Sequence, residues 1–201
     1  MPSAERTNSA GTMLAFYIAG RSCAVSVCSM RTLSKAYGLA GARVGYAIAH
    51  ADLAAAFDKI RNHFGLSRIS QAGALAALED HDWLQQVVQK VGAGRKRIEA
   101  IAVANGLKPL PSATNFVTID CGRGGDYARA LLAELLERDV FVRMPSMAPA
   151  DRCIRVGVGT EKELTHFEEV LPAALLAATK SITTAVAAAD GVSGQQCRSK
   201  L

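Results

Sequence analysis

Arg31-Thr32-Leu33-Ser34-Lys35-Ala36-Tyr37-Gly38-Leu39-Ala40-Gly41-Ala42-Arg43-Val44-Gly45-Tyr46 sets one lysine between a hydroxyl cluster and a glycine-rich turn that ends in an arginine. A lysine amine forms an imine with an aldehyde only where desolvation or a neighbouring cation lowers its pKa. Thr32 and Ser34 supply hydroxyls, and Arg43 supplies a rigid fork of donors suited to a phosphate. Gly38 and Gly41 let the backbone turn tightly and approach a ligand. An isolated lysine or arginine is ordinarily a solvated surface charge. Combined with glycines, on a turn beside an apolar strand, these residues instead describe a holder for an aldehyde cofactor that carries a phosphate.

The pattern Thr-x-Ser-Lys-x-x-Gly-Leu-x-Gly-x-Arg-x-Gly-Tyr resembles the cofactor-lysine segment of the fold-type I pyridoxal-phosphate aminotransferases, in the branch containing histidinol-phosphate aminotransferase. The resemblance runs from about Met30 to about Ala178. It implies an α/β fold, the C-terminal portion of the pyridoxal-phosphate-dependent transferase large domain followed by a small α+β domain. On this resemblance Lys35 is the catalytic lysine that binds pyridoxal 5'-phosphate, Ser34 and Arg43 hold the cofactor phosphate, and Thr32 is a weaker phosphate contact.

The 201 residues, half of them hydrophobic, suffice for one large domain or two small ones. Family enzymes are considerably longer. Ahead of the lysine they carry the acidic partner of the pyridine nitrogen, an aromatic ring stacker and a second phosphate-binding loop. Residues 1–29 have no room for these, so the expectation is the C-terminal part of such an enzyme. Weak cofactor binding and little turnover follow unless another chain supplies the acid. Residues 1–29 also do not follow the family's sequence. Met13-Leu14-Ala15-Phe16-Tyr17-Ile18-Ala19 has the character of a signal core, but Arg21 interrupts it and Glu5 and Arg6 stand where a basic cluster belongs. The run is too short to span a membrane. An alternative start or a frame disruption accounts for the segment equally well.

Five cysteines, Cys23, Cys28, Cys121, Cys153 and Cys197, are odd in number and scattered. Neither a disulfide framework nor a zinc site follows, and reduced thiols in a cytoplasm are expected. His50, His63, His81 and His166 show no metal-ligand spacing, so no metal is expected. The formal charge of +5 modestly favours anionic ligands. The densest basic cluster, Gly94-Arg95-Lys96-Arg97, lies in a helical pattern with Val87, Val91, Ile98 and Ala102 on its apolar side. It reads as a solvated helix face, and without a nucleic-acid-binding signature no such partner is expected.

Along the chain, Arg43 to Ala49 alternates Val44, Tyr46 and Ile48 with small residues and predicts a buried strand. Asp52 is placed to cap a helix with Leu53, Phe57 and Ile60 on one side, broken at Asn62-His63-Phe64-Gly65. Ser70 to about Ala104 is helical, interrupted near Asp80-His81-Asp82, with Leu75, Leu78, Trp83, Val87 and Val91 as core candidates and Asn105-Gly106 as its close. In the family a long helix here bridges the two domains. Strands follow at Asn115–Cys121, Val140–Arg143 and Cys153–Val158, with a helix from Asp126 to Arg138. Thr160-Glu161-Lys162-Glu163 is a capping box for a last helix bearing Leu164, Phe167, Leu171 and Leu175. An antiparallel sheet covered by helices is implied. The organisation read from the chain is an atypical segment at 1–29, a remnant of the cofactor-binding large domain with its interdomain helix at 30–90, a small domain at 91–180 and a flexible tail at 181–201.

Arg155, in Ile-Arg-Val-Gly-Val-Gly-Thr, resembles the family arginine that grips the substrate carboxyl or phosphate end. Arg143, closing Val-Phe-Val-Arg, matches a second arginine that histidinol-phosphate aminotransferases direct at the substrate phosphate. The competing reading is an edge-strand arginine paired with a carboxylate. Asn115 either faces the site or makes a turn bond. The resemblance implies amino transfer between an amino compound, such as histidinol phosphate or an aromatic amino acid, and 2-oxoglutarate, in histidine biosynthesis or related amino-acid metabolism. Lys35 would act as base and acid. A decarboxylase on the same fold, or a truncated non-catalytic remnant, remains open. The family's enzymes are usually homodimers.

Overall fold

The computed structural model describes residues 28–60 and 65–196. It divides into a first unit ending at Val91 and a second beginning at Gly92. Among the described residues no helix is long and apolar enough to cross a membrane.

In the first unit β1 (Ser29–Thr32) and β2 (Gly45–Ile48) pair antiparallel, with Thr32 opposite Gly45 and Ser29 opposite Ile48. The missing side chain at Gly45 permits this pairing, because a Cβ there would stand 2.5 Å from the Arg31 carbonyl oxygen. The strand predicted from Arg43 to Ala49 is shorter than expected and exposed, with Ile48 61% accessible. Only Val44, just before it, is buried. Two strands make no second layer, and the alternating pattern needs further strands and helices to cover it.

α1 (Ala51–Asp58) starts where the Ala54 N–H donates to the His50 carbonyl at 2.9 Å. Asp52 therefore sits inside the first turn, not at the cap. Ile60 lies beyond the helix end, exposed, and residues 62–64 of the expected break lie outside the described residues. α2 (Arg68–Glu79) is capped by Ser67, whose hydroxyl accepts the Ser70 N–H at 3.0 Å. The interruption falls on Asp80, whose carboxylate accepts the Trp83 N–H at 3.0 Å and opens α3 (His81–Ala104). Leu75, Leu78 and Trp83 are exposed, contrary to the expectation of a core, and Val87 and Val91 are half-buried. Helical periodicity identifies an apolar side without saying what covers it.

In the second unit Ile98, Ile101 and Ala102 of α3 are buried. Gly106, at φ +71°, closes the helix as predicted: its N–H reaches the Val103 carbonyl, and the Leu107 N–H reaches the Ala102 carbonyl at 2.9 Å. β3 (Lys108–Pro109), β4 (Phe116–Asp120) and β5 (Cys153–Gly157) form an antiparallel sheet in that order. Period-two alternation sends Val117, Ile119, Ile154 and Val156 into one cluster with α3, α4 (Gly125–Leu136) and α5 (Glu161–Gln196). Phe116, Thr118 and Arg155 alternate with these residues on the other face, half-buried. Each fully buried Leu or Ile contributes about 1.5–3 kcal/mol, so this cluster dominates the unit's stability. The small α+β architecture read from the sequence is present. Gly94 marks a close approach: a Cβ there would lie 2.5 Å from Val158 Cγ1.

The strand predicted at Val140–Arg143 shrinks to a single bridge between Arg143 and Arg155. Asp139, at φ +59°, turns the chain out of α4, and the Val140 N–H is spent on the Leu135 carbonyl at 2.9 Å. That capping bond fixes where the chain leaves α4, three residues ahead of the bridge at Arg143. The capping box forms: the Thr160 N–H donates to Glu163 Oε2 at 2.6 Å, and this bond holds the Glu163 carboxyl below its usual range. α5 continues to Gln196, past the tail expected from about Lys180, in keeping with the alanines at 185 and 187–189. Among the described residues Asp120 is the buried acid: it accepts the Gly122 N–H at 2.9 Å and pairs with Arg152.

Candidate active site

The connection from β1 to β2 carries the predicted lysine site. Its base is pinned by buried Leu33 and Val44, joined by a bond from the Leu33 N–H to the Val44 carbonyl at 3.2 Å. The Leu39 N–H returns to the Leu33 carbonyl at 2.9 Å, and the Gly38 N–H to the Lys35 carbonyl at 2.9 Å, with Gly38 at φ +72°. Lys35 is exposed on this turn, and its side-chain amine has no hydrogen bond or ion pair among the described residues. Thr32 Oγ1 accepts the Ser34 N–H at 3.1 Å, which leaves the Thr32 hydroxyl proton to donate elsewhere.

Arg43 is left-handed at φ +50°, a conformation that costs a non-glycine residue about 1 kcal/mol or more. Its Nη1 donates to the Ala40 carbonyl at 2.9 Å, leaving Nη2 and Nε for a ligand. Gly41, expected to supply backbone freedom, has no positive φ and open space where a Cβ would stand. The glycines the geometry needs are Gly38 and Gly45. One loop thus gathers an amine, two hydroxyls and a guanidinium, with no carboxylate between Cys28 and Ala49. That all-donor set suits an aldehyde bearing a phosphate.

The second unit brings Arg143 and Arg155 together. They exchange both backbone bonds, Arg143 N–H to Arg155 O at 3.1 Å and Arg155 N–H to Arg143 O at 2.6 Å. Residues directly opposite in an antiparallel pair project to the same face, and like charges so placed repel. No carboxylate pairs with either arginine among the described residues, so the competing ion-pair reading lacks its partner. The Arg155 guanidinium lies 4.7 Å from the centroid of the Phe116 ring, which orients it while leaving its edge donors available. The arrangement suits an anion that both arginines share. Asn115 is exposed, and its carbonyl accepts the Val158 N–H at 2.9 Å. Thr32, Ser34, Lys35 and Arg43 share the first unit's loop, and the arginine pair belongs to the second unit.

Sequence reasoning missed Ser70, whose hydroxyl donates to the Ala42 carbonyl at 2.8 Å, and Phe116 beneath Arg155. No local pattern announces either contact, because both partners are distant in sequence. A cleft of about 740 Å³ opens in the second unit where Val140–Val142 part from β5. It contains none of the predicted site residues, and two of its polar groups are engaged: His166 Nε2 meets the Arg138 carbonyl at 2.8 Å and Glu163 serves the capping box.

Comparison with known proteins fits this geometry. The family model for aminotransferase class I and II matches residues 7–171. Histidinol-phosphate aminotransferase of Bacillus velezensis is 42% identical over 150 residues, covering 73% of this chain and 41% of that protein. Histidinol-phosphate aminotransferase 1 of Nitrosococcus oceani is 40% identical over 145 residues, covering 72% of this chain and 38% of that protein. The crystal structure of histidinol-phosphate aminotransferase from Sinorhizobium meliloti in complex with pyridoxal-5'-phosphate superimposes with a TM-score of 0.71 at 50% identity, over 74% of this chain and 41% of that one. This chain therefore spans about two fifths of the length of the relatives it matches. With the lysine loop, the antiparallel small domain and the family match in agreement, the chain belongs to the class I and II aminotransferases.

Proposed function

We propose that the chain carries the cofactor-lysine and substrate-arginine elements of a pyridoxal-phosphate-dependent aminotransferase, acting on histidinol phosphate or an aromatic amino acid with 2-oxoglutarate. The observation that carries this reading is the loop that joins Lys35 to Thr32, Ser34 and a left-handed Arg43, with no acidic residue between Cys28 and Ala49. Arg43 and the Ser34 hydroxyl hold the cofactor phosphate, and Thr32 supports them. Lys35 is the residue that would hold the cofactor aldehyde, with release of water, and its amine, when free, would take and return the proton at the substrate α-carbon. When bound, pyridoxal 5'-phosphate supplies the electron sink that makes that proton removable. Arg155 and Arg143 clamp the substrate anion, and the Phe116 ring keeps the Arg155 plane in place.

The lysine loop carries no carboxylate between Cys28 and Ala49, so the partner of the cofactor's ring nitrogen comes from outside this loop. A homodimer and a cytoplasmic setting belong to the same proposal. Cys28, Cys121 and Cys153, all unpaired, accord with a reducing compartment.

The test is the visible absorption spectrum on adding pyridoxal 5'-phosphate, followed by borohydride reduction and mass analysis of the labelled peptide. A reduced adduct on Lys35 supports the reading. Labelling of Lys35 no faster than other lysines removes it. With a complementing chain present, 2-oxoglutarate-dependent glutamate formation is expected, and release of carbon dioxide in its place points to a decarboxylase.

A further inference from the structure

Arg43 holds a left-handed backbone that only surrounding structure can impose. Downstream, the chain enters β2, where Val44 and Gly45 are fixed against Leu33 and Thr32. Upstream, the Ala42–Arg43 peptide plane needs its own restraint, since φ at Arg43 is the rotation between that plane and the rest of the residue. The structure supplies one from a distant segment. Ser70 Oγ donates to the Ala42 carbonyl at 2.8 Å, across 28 residues and partly buried.

The direction of this bond follows from counting protons. A serine hydroxyl has one proton, and Ser70 gives its own to Ala42. In the Ser67 Oγ to Ser70 Oγ contact of 2.9 Å, Ser67 is therefore the donor. Ser67 Oγ in turn accepts the Ser70 N–H at 3.0 Å. A directed relay runs from the Ser67 hydroxyl through the Ser70 hydroxyl to the Ala42 carbonyl, with each bond polarising the next. The cap of α2 is thereby coupled to the peptide plane on which Arg43 is built.

We propose that Ser70 is a positioning residue for phosphate recognition: it clamps the Ala42–Arg43 peptide so that the Arg43 guanidinium meets the phosphate of an aldehyde cofactor. This rests on the assignment of Arg43 and Lys35 made above. It adds a residue outside the lysine motif, acting through Arg43 and touching no cofactor itself.

Ser70→Ala, Ser70→Thr, Arg43→Ala and the Ser70→Ala/Arg43→Ala double variant of the full chain test it. Each is titrated with pyridoxal 5'-phosphate and with pyridoxal, the same aldehyde without the phosphate, reading absorbance and borohydride-trapped label on Lys35. Ser70→Ala is expected to lose about five- to tenfold in affinity for the phosphorylated aldehyde, the effect of one hydrogen bond. Its labelling by pyridoxal stays at the wild-type level, and Ser70→Thr, which keeps the hydroxyl, retains wild-type affinity. In the Arg43→Ala background the Ser70→Ala loss disappears. Equal weakening toward both aldehydes, or a Ser70→Ala loss that persists without Arg43, overturns the proposal, since either marks a general structural effect. Normal wild-type labelling with a silent Ser70→Ala overturns the clamp alone. A wild-type chain that does not label Lys35 preferentially overturns the cofactor reading and the clamp with it.

Discussion

A single methyl group at Gly45 should disable the proposed phosphate site from outside it. A Cβ on Gly45 would stand 2.5 Å from the Arg31 carbonyl oxygen and 3.4 Å from Thr32 Cα, both backbone atoms of the paired strand. Ordinary carbon–oxygen contact needs roughly 1 Å more than the first distance, and no side-chain rotation can provide it. Relief therefore requires β1 and β2 to part by a substantial fraction of that amount at the pair Thr32–Gly45. Thr32 and Ser34 lie on one strand's side of this pair and Arg43 on the other, so the parting separates the proposed phosphate donors from one another. Binding constellations tolerate about 0.5 Å of displacement, and a charge-assisted hydrogen bond contributes about 1.5–3 kcal/mol.

Gly45→Ala is accordingly expected to weaken pyridoxal 5'-phosphate binding by tenfold or more, and overpacking lowers stability by about 1–3 kcal/mol. Gly41→Ala is the control, since a Cβ there meets nothing within 4 Å and φ is not positive. That variant should keep wild-type affinity and gain a few tenths of a kcal/mol from a stiffer unfolded chain, near the low end of about 0.4–1 kcal/mol. The assay is a spectrophotometric cofactor titration beside a thermal melt. Unchanged cofactor affinity in Gly45→Ala, or an equal loss in Gly41→Ala, would refute the argument that backbone approach at the hairpin root sets the site.

Three further outcomes are expected. Arg143→Ala should weaken binding of inorganic phosphate by about tenfold, one charge-assisted bond, yet melt no lower than wild type in phosphate-free buffer, because it removes a like charge facing Arg155; calorimetric titration and melting check both. The Gly122 N–H, assisted by Arg152 and opposed by burial, holds the Asp120 carboxyl below its usual range; a depressed folded pKa stabilises above the unfolded value of about 4 and is lost as pH falls through the folded one, so Asp120→Asn should flatten the acid limb of the melting-temperature profile. Burial, with the Cys153 thiol beside it, pushes the Cys121 thiol up to about 11, so iodoacetamide at neutral pH should spare Cys121 in the folded chain and modify it only in denaturant, as peptide mapping will show.

The turn geometry of the lysine loop was legible because it is local. Thr32, Ser34, Lys35, Gly38 and Arg43 stand within a dozen residues, and the turn between them is closed by bonds of short sequence range, Gly38 to Lys35 and Leu39 to Leu33. The helix stop at Gly106 and the capping box at Thr160–Glu163 were legible for the same reason. Burial was not. Trp83 and Leu75 sit on apolar helix faces yet are exposed, while Ile119 and Leu131 are buried, and no periodicity distinguishes the two cases. Periodicity reports which side of an element is apolar; the element that covers it is a property of pairs distant in sequence.

The Val140–Arg143 segment shows how the two kinds of information compete at one site. Its β-branched and aromatic residues favour a strand, and a full ladder against β5 would place Arg143 opposite Arg155 as the structure does. The chain takes that register at Arg143 alone, because the Val140 N–H closes α4 on Leu135 and Asp139 turns left-handed to allow it. The helix cap therefore fixes where the strand can begin, and the bridge that survives is the one carrying the arginine pair. A continuous ladder would add ladder bonds at Phe141 and remove the cleft beside β5. Arg143 is thus held by two backbone bonds to Arg155 at the end of a segment released from the sheet. The placement of the proposed second anion contact follows from the way α4 ends, which no reading of the arginine motif by itself contains.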